Sequence, residues 1–362
     1  MRHRSHDLWL AVAALAAAAG CGLDNATPEA AAAQGLFTPP TGGPCARFIC
    51  GANSPMIDAF EMHELSLDPY VRNDEGFELV VANQTPQIVQ RGVSYELRVS
   101  DGRISGWLAG KLALDGPALV DATIPVRRGK LQFAIAIRTV REMTFFVDPR
   151  DPIETYTLEW RAIGQDRPPQ NVCNNVQELR DQIAVDPEGA QRELMGMDAA
   201  EAVVFEGDRV NAGAKEMEQG ADDRWFNIGC AGHTLSKLRL THNTVHSQAP
   251  GLPRAWEQRQ ATLKMLVADY CGHGTAFTVA GQPLVWKGTG VEYFSSPRVF
   301  EARWTEAGAA CLYQPRLMSP TALGRKLFPD IRKAIADECQ PARCTNLDFA
   351  DFDGAERISA NP

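Results

Sequence analysis

The sequence predicts an α+β chain. An N-terminal antiparallel β-sandwich or barrel-like module comes first, and a disulfide-stapled α+β domain follows. Three observations predict this. Apolar residues recur at every second position between about 45 and 165, the spacing of strands with one face buried. Beyond a Pro-rich break at Asp166-Arg167-Pro168-Pro169, helical spacings join short strand-like runs. Nine cysteines occur, eight of them well inside the chain. The length of 362 residues suggests roughly two domains at about 150 residues each. A composition 44% hydrophobic and 22% charged excludes a disordered, collagen-like or coiled-coil chain. The net charge of −9 argues against a nucleic-acid partner, which needs a basic face to meet phosphates.

The first residues read as an address. Met1-Arg2-His3-Arg4 is basic, and Leu8 to Ala19 is apolar throughout. That apolar run of about 12 residues suits a signal segment, whereas a spanning helix needs about 20. Residues 1–20 are therefore expected to be a signal peptide. Ala18-Ala19-Gly20-Cys21 resembles the lipobox of bacterial lipoproteins. The resemblance implies that Cys21 becomes the first mature residue and carries lipid on its sulfur. The alternative is a plain secretory signal with Cys21 an ordinary cysteine. Several acyl chains anchor far better than one, because each buried CH2 contributes about 0.8 kcal/mol. Gly22 stands where lipoprotein sorting reads an inner-membrane Asp, which implies the outer membrane. The expected location is the cell envelope, as a membrane-anchored lipoprotein. Residues 21–44, rich in Ala, Pro and Gly, read as a flexible tether.

Export makes the other eight cysteines a disulfide set: Cys45, Cys50, Cys173, Cys230, Cys271, Cys311, Cys339 and Cys344. Eight cysteines allow about 105 pairings. Cys45/Cys50 and Cys339/Cys344 share one spacing, short enough for a local bridge. Those two bridges are expected, with Cys230–Cys271 and Cys173–Cys311 completing the set. The CxxC clusters of zinc sites are absent, so no metal is expected at the cysteines.

In the β-rich segment, 45–165, Tyr95, Leu97 and Val99 alternate with polar residues. Leu131, Phe133, Ile135 and Ile137 also sit at every second position, with the small Ala134 and Ala136 between them, and Tyr156, Leu158 and Trp160 alternate with polar residues again. Turn signals separate the runs at Asp101-Gly102, Asp115-Gly116-Pro117, Arg128-Gly129 and Asp148-Pro149. Short strands at this spacing suggest a sandwich or small barrel. The second domain is expected over 166–345. Ala231, Leu235 and Leu238 form one helical face, and Trp256, Leu263, Leu266 and Tyr270 another. Ser319-Pro320 reads as a helix start, with Leu323, Leu327, Ile331 and Ile335 on one side and a restart near Pro329. Val203–Phe205, Phe277–Val279, Leu284–Trp286 and Phe300–Trp304 read as strands. Residues 346–362 are expected to form a C-terminal tail.

At 268 the chain reads Ala268-Asp269-Tyr270-Cys271, followed by Gly272-His273-Gly274-Thr275. Upstream stand Phe205-Glu206-Gly207-Asp208-Arg209 and Trp225-Phe226-Asn227-Ile228-Gly229-Cys230-Ala231-Gly232, with Lys237 five residues on. Downstream stand Phe300-Glu301-Ala302-Arg303-Trp304 and Gly308-Ala309-Ala310-Cys311. This set resembles the ADYC domain family of myxobacterial-type exported lipoproteins, over about residues 165–315. Asn53-Ser54-Pro55 to His63-Glu64-Leu65 also resembles the front of such chains. The resemblance implies no particular activity, cofactor or mechanism.

The residues of the motif support a structural reading. Tyr270 falls on the buried face of a helix, Cys271 at its end, and Gly272 and Gly274 allow a tight exit. Asp269 can accept backbone N–H bonds from that exit. The catalytic alternative pairs Asp269 with His273 as acid and base in an exported hydrolase-like enzyme. Against it, Cys271 is expected to be oxidised, and no Gly-x-Ser-x-Gly elbow occurs. His63-Glu64 lacks the second histidine of a zincin. His242 and His246, with His233, have a metal-compatible spacing, but Pro250-Gly251 points to loop, and no metal is expected. Asp222-Asp223 reads as a solvated turn, since calcium needs six or more oxygens. Gly288-Thr289-Gly290 alone makes no phosphate loop. The expected function is a non-enzymatic binding or structural module of the envelope, without cofactor. It meets the membrane through lipid on Cys21 and an unidentified envelope or extracellular partner.

Overall fold

The period-2 runs of the first half become strands of one large antiparallel sheet. The computed structural model describes residues 53–144, 152–185, 194–220, 222–246, 255–278, 282, 284–288, 291–292, 299–318 and 330–361. The signal segment, the tether, Cys21, Cys45, Cys50 and the helix expected from Ser319 to Leu327 lie outside the described residues. Among those described, thirteen strands share the sheet. Its path runs Glu64–Ser66, Asp222–Cys230, Glu201–Gly207, Ile153–Ala162, Leu131–Met143, Thr123–Arg128, Thr85–Gln90, Val93–Ser100, Arg103–Leu108 and Lys111–Leu114. Arg91-Gly92, Asp101-Gly102 and Ala109-Gly110 all have positive φ, the two-residue turn whose twist suits a hairpin.

Tyr156, Leu158 and Trp160 point inward and share a core with Leu97, Val99, Ile135 and Ile137. The arrangement is sandwich-like. The Ile104 N–H donates to the Tyr156 hydroxyl at 3.0 Å, tying two strands that are distant along the path. Strands from both sides of residue 165 share this sheet, since Ile153–Ala162 pairs with Glu201–Gly207.

Alternation disappears after residue 200 for a physical reason. Every residue of Glu201–Gly207 is buried, as is every residue from Trp225 to Cys230. One face of these strands meets the sheet's core and the other meets the Thr234–Leu240 helix. A strand covered on both faces has no polar side to mark it.

A second, five-stranded antiparallel sheet has the order Val291–Glu292, Val285–Gly288, Arg357–Asn361, Val299–Thr305, Gly308–Leu312. Its central strand, Arg357–Asn361, is buried throughout and comes from the stretch expected as a tail. The described helices are Val176–Val185, Thr234–Leu240, Trp256–Val267 and Ile331–Glu338. The chain is thus mostly β with a few helices. None of the described helices is long and apolar enough to cross a membrane. Phe277 is buried but lies outside any strand.

The disulfide pattern corrects the expected one. Among the described residues the bridges are Cys173–Cys230, Cys271–Cys339 and Cys311–Cys344. Cys339 and Cys344 do not pair with each other, because the chain between them carries them to different elements. Cys339 caps the Ile331–Glu338 helix. Residues 342–344 run beside Leu312, whose N–H donates to the Ala342 carbonyl at 2.8 Å. Cys344 therefore meets Cys311. Cys230 is taken by Cys173, which leaves Cys271 for Cys339.

Candidate functional site

The Trp256–Val267 helix has no polar face, yet it carries polar residues. Arg259, Gln260, Thr262 and Lys264 are buried together with Ala261, Leu263, Met265 and Val267. Buried polar groups need partners, since an unpaired one costs about 1–3 kcal/mol. Each of these four has one from a different element. Arg259 grips the buried Asp208 carboxylate, with Nη2 at 2.7 Å. Gln260 Nε2 donates to the Lys215 carbonyl at 3.0 Å, and its Oε1 accepts from the Met217 N–H at 2.8 Å. The Thr262 hydroxyl accepts from Arg357 Nε of the C-terminal strand at 2.8 Å. Lys264 reaches past the helix end. The helix is a polar hub between the two sheets.

The hub ends at Ala268, whose φ of 54° is left-handed. Its N–H returns to the carbonyls of Lys264 and Met265. Glycine is usual at such a cap, so alanine there carries strain. The Asp269 N–H also returns to the Lys264 carbonyl, at 2.9 Å. These bonds reverse the chain and aim the next three side chains in three directions.

Asp269 turns inward and is fully buried. Its Oδ2 accepts from Lys264 Nζ at 2.8 Å and from the Gly274 N–H at 2.8 Å. Lys264 also donates to the carbonyls of Gly272 at 3.1 Å and Ala214 at 3.2 Å. One ammonium thus ties the helix, the exit turn and the 211–216 hairpin. Gly272 has φ of 73°, and a Cβ there would stand 1.9 Å from the Ala307 carbonyl oxygen. No other residue fits that position without moving the backbone. His273 stands exposed on the turn.

Tyr270 turns the other way. Its ring stacks on Trp304 with centroids 5.2 Å apart. Its hydroxyl donates to Glu301 Oε1 at 2.5 Å. Glu301 is held by Arg316 Nε at 2.7 Å, and all three side chains are buried. Burial, then the negative charge of Glu301, push the Tyr270 hydroxyl well above the ordinary tyrosine range. Cys271 takes the third direction, into its bridge with Cys339.

A second charged region adjoins the turn. His63 Nε2 hydrogen-bonds the Val210 carbonyl at 2.7 Å. Lys215 is buried beside the hub, and its amine donates to the Ala212 carbonyl. Burial lowers its pKa, opposed by Glu61 and Asp269 and reinforced by Lys264. His233 caps the Thr234–Leu240 helix with Nδ1 accepting from the Leu235 N–H at 3.4 Å. Burial, then the charges of His63, Lys215 and Lys237, lower the His233 pKa to about 3. His233 is therefore a neutral capping acceptor at ordinary pH. His242 is buried just beyond the same helix, and His246 instead pairs with exposed Asp223 at 2.6 Å.

The structure gathers most of the quoted sequence pieces around this turn. Asp208 reaches the hub, Glu301 reaches Tyr270, and Asn53 of the front segment donates to the Ala231 carbonyl at 3.1 Å. Lys264 and Arg316 were not singled out from the sequence. Arg316 gave no signal there, but Glu301 did: a charge set between aromatic and apolar residues of a strand needs a buried partner.

A family model for the ADYC domain matches residues 116–318. The match begins upstream of 166 and so takes in the Thr123–Arg128, Leu131–Met143 and Ile153–Ala162 strands. No curated protein and no solved structure gives a significant match.

Proposed function

The chain belongs to the ADYC domain family, and on that premise we propose that it is a non-enzymatic binding or structural module of the cell envelope. In this reading residues 1–20 are removed, lipid on Cys21 anchors the chain at the outer membrane, and residues 21–44 hold the body clear of it. A sandwich-like N-terminal module then presents the disulfide-bonded domain to an envelope or extracellular partner. One observation carries the reading. Every member of the Ala268–Cys271 tetrapeptide is engaged in building a junction: a left-handed cap, a buried ion pair, a buried hydroxyl–carboxylate–guanidinium triad and a disulfide. The three disulfides among the described residues suit an oxidising compartment, and the lipobox-like Ala18-Ala19-Gly20-Cys21 suits an anchor.

Mass spectrometry of the mature N-terminus tests the anchor. The expected product begins at Cys21 with diacylglycerol on sulfur, and Cys21→Ala releases the protein from the membrane fraction. An unmodified Cys21 overturns the lipoprotein part of the reading.

A further inference from the structure

The strongest unassigned surface is one end of the large sheet. Two hairpin turns lie side by side there, Arg91-Gly92 and Ala109-Gly110. The chain from Leu108 to Ala113 is exposed without interruption, and Trp107 is half-buried beside it. The local sequence Trp107-Leu108-Ala109-Gly110-Lys111-Leu112-Ala113 contains a single charge. Large apolar side chains stand in water here: Leu108 is 49% exposed, Leu112 49%, and Val93 42%. Register brings them together. Leu108 pairs with Lys111, Trp107 pairs with Leu112, and Val93 begins the adjoining strand, paired with Gln90. Neighbouring strands are about 5 Å apart, so these side chains gather at the tips of the two adjacent hairpins. The tips make no groove, because Leu108 and Leu112 leave the hairpin on opposite sides.

The charges at the two turns themselves are basic, and the acids nearby, Glu96 and Asp121, each have an arginine partner. Arg91 and Lys111 are exposed at the two turns, and among the described residues neither makes an ion pair. Glu96, the nearest acid on these strands, is taken by Arg98 at 2.6 Å. Arg98 also stacks on Trp107 at 4.3 Å. In a chain of net charge −9, this end is locally basic. The acidic remainder is screened over about 10 Å at ordinary ionic strength.

We propose that this double hairpin end is a membrane-contact site that inserts Leu108, Leu112 and Val93 into an anionic phospholipid surface. Apolar tips enter the acyl boundary while Arg91 and Lys111 meet headgroup phosphates. Trp107 and the half-buried Tyr95 sit at the depth that amphipathic rings favour. A protein partner would select a patch confined to one face of the sheet, and a splayed two-sided tip suits lipid better. This contact is separate from any lipid on Cys21 and would orient the body against the bilayer instead of leaving it free on its tether.

Amide hydrogen exchange on the full-length protein tests it, in vesicles of phosphatidylcholine alone and of phosphatidylcholine mixed with phosphatidylglycerol. A basic residue at an anionic surface contributes about 1 kcal/mol, or about fivefold. The expected result is exchange at residues 107–113 slowed tenfold or more when phosphatidylglycerol is present. The variants R91E/K111E and L108D/L112D each abolish the slowing. Exchange in the Ile153–Ala162 strand is read in the same spectra and stays unchanged, which reports that the variants fold. Unaltered exchange at 107–113 on adding phosphatidylglycerol overturns the proposal. So does slowing that grows with protein concentration and needs no anionic lipid, which would mean a second copy pairing along the Lys111–Leu114 edge.

Discussion

The large sheet and the hub around the Trp256–Val267 helix are held together by different physics. In the sheet, the strands are joined chiefly through the apolar side chains they bury, Ile135, Ile137, Leu158 and Trp160 among them. In the hub, buried charges do much of the joining: Asp208 with Arg259, Asp269 with Lys264, Glu301 with Arg316. An apolar contact tolerates a smaller neighbour and loses stability in proportion to the volume removed. A buried ion pair tolerates no missing partner, because the survivor is left charged and dry. The sheet should therefore yield gradually to substitution, and the hub abruptly.

The largest effect is expected from removing Arg357–Asn361. That strand is the centre of the second sheet, and Arg357 reaches the hub through Thr262 and Asn243. The truncated chain should lose its near-ultraviolet circular dichroism, because Trp286 and Trp304 lose their packing. Native-like signal from the truncated chain would mean that the hub stands without its second sheet.

Next comes R316M. It leaves Glu301 buried without its guanidinium, and breaking such a pair costs about 3–5 kcal/mol. Chemical unfolding measures the loss. The double variant E301L/R316M should recover part of it, since the stranded charge is then gone. In the sheet, I135A removes a fully buried side chain and should cost about 2–5 kcal/mol, with no dependence on pH. If R316M costs clearly less than I135A, the contrast between the regions fails.

The smallest effect at neutral pH is one that only acid reveals. The His233 pKa falls from the ordinary 6.5 to about 3 in the folded chain. As pH drops through that window the unfolded chain takes a proton that the folded chain refuses. Stability from this group is complete above about 6.5 and falls by about 1.4 kcal/mol per pH unit towards 3. Replacing it by asparagine, H233N, keeps a capping acceptor and should flatten the acid limb of a stability–pH curve. An unchanged limb would assign the acid sensitivity to other groups.

The two regions also differ in how far they can be read from sequence. Tyr156, Leu158 and Trp160 alternate with wetter residues, and so their strand is visible. Glu201–Gly207 is covered on both sides, which erases the alternation. Asp269 accepting a backbone N–H of the exit turn was legible, but the helix ends at Val267 with Ala268 as its left-handed cap, so Tyr270 and Cys271 lie beyond the helix and not on its last turn. The ion partner of Asp269, Lys264, was hidden, because a lysine within a helix is normally at the surface. Disulfide partners were misread from sequence proximity. Cys339 and Cys344 are close along the chain, but a helix cap and a strand-side bridge carry them apart. The C-terminal strand was missed because Arg357, Ser359 and Asn361 look like a polar tail until their hydrogen bonds to Thr262, Trp304 and Gln314 are seen.

The central claim is that the Ala268–Cys271 tetrapeptide is a structural junction, and chemical unfolding of D269A tests it most directly. Loss of the buried carboxylate strands Lys264 and frees the Gly274 N–H. The account predicts a loss of about 3–5 kcal/mol, largely recovered when Lys264→Met is added. An unfolding midpoint unchanged by D269A would contradict it.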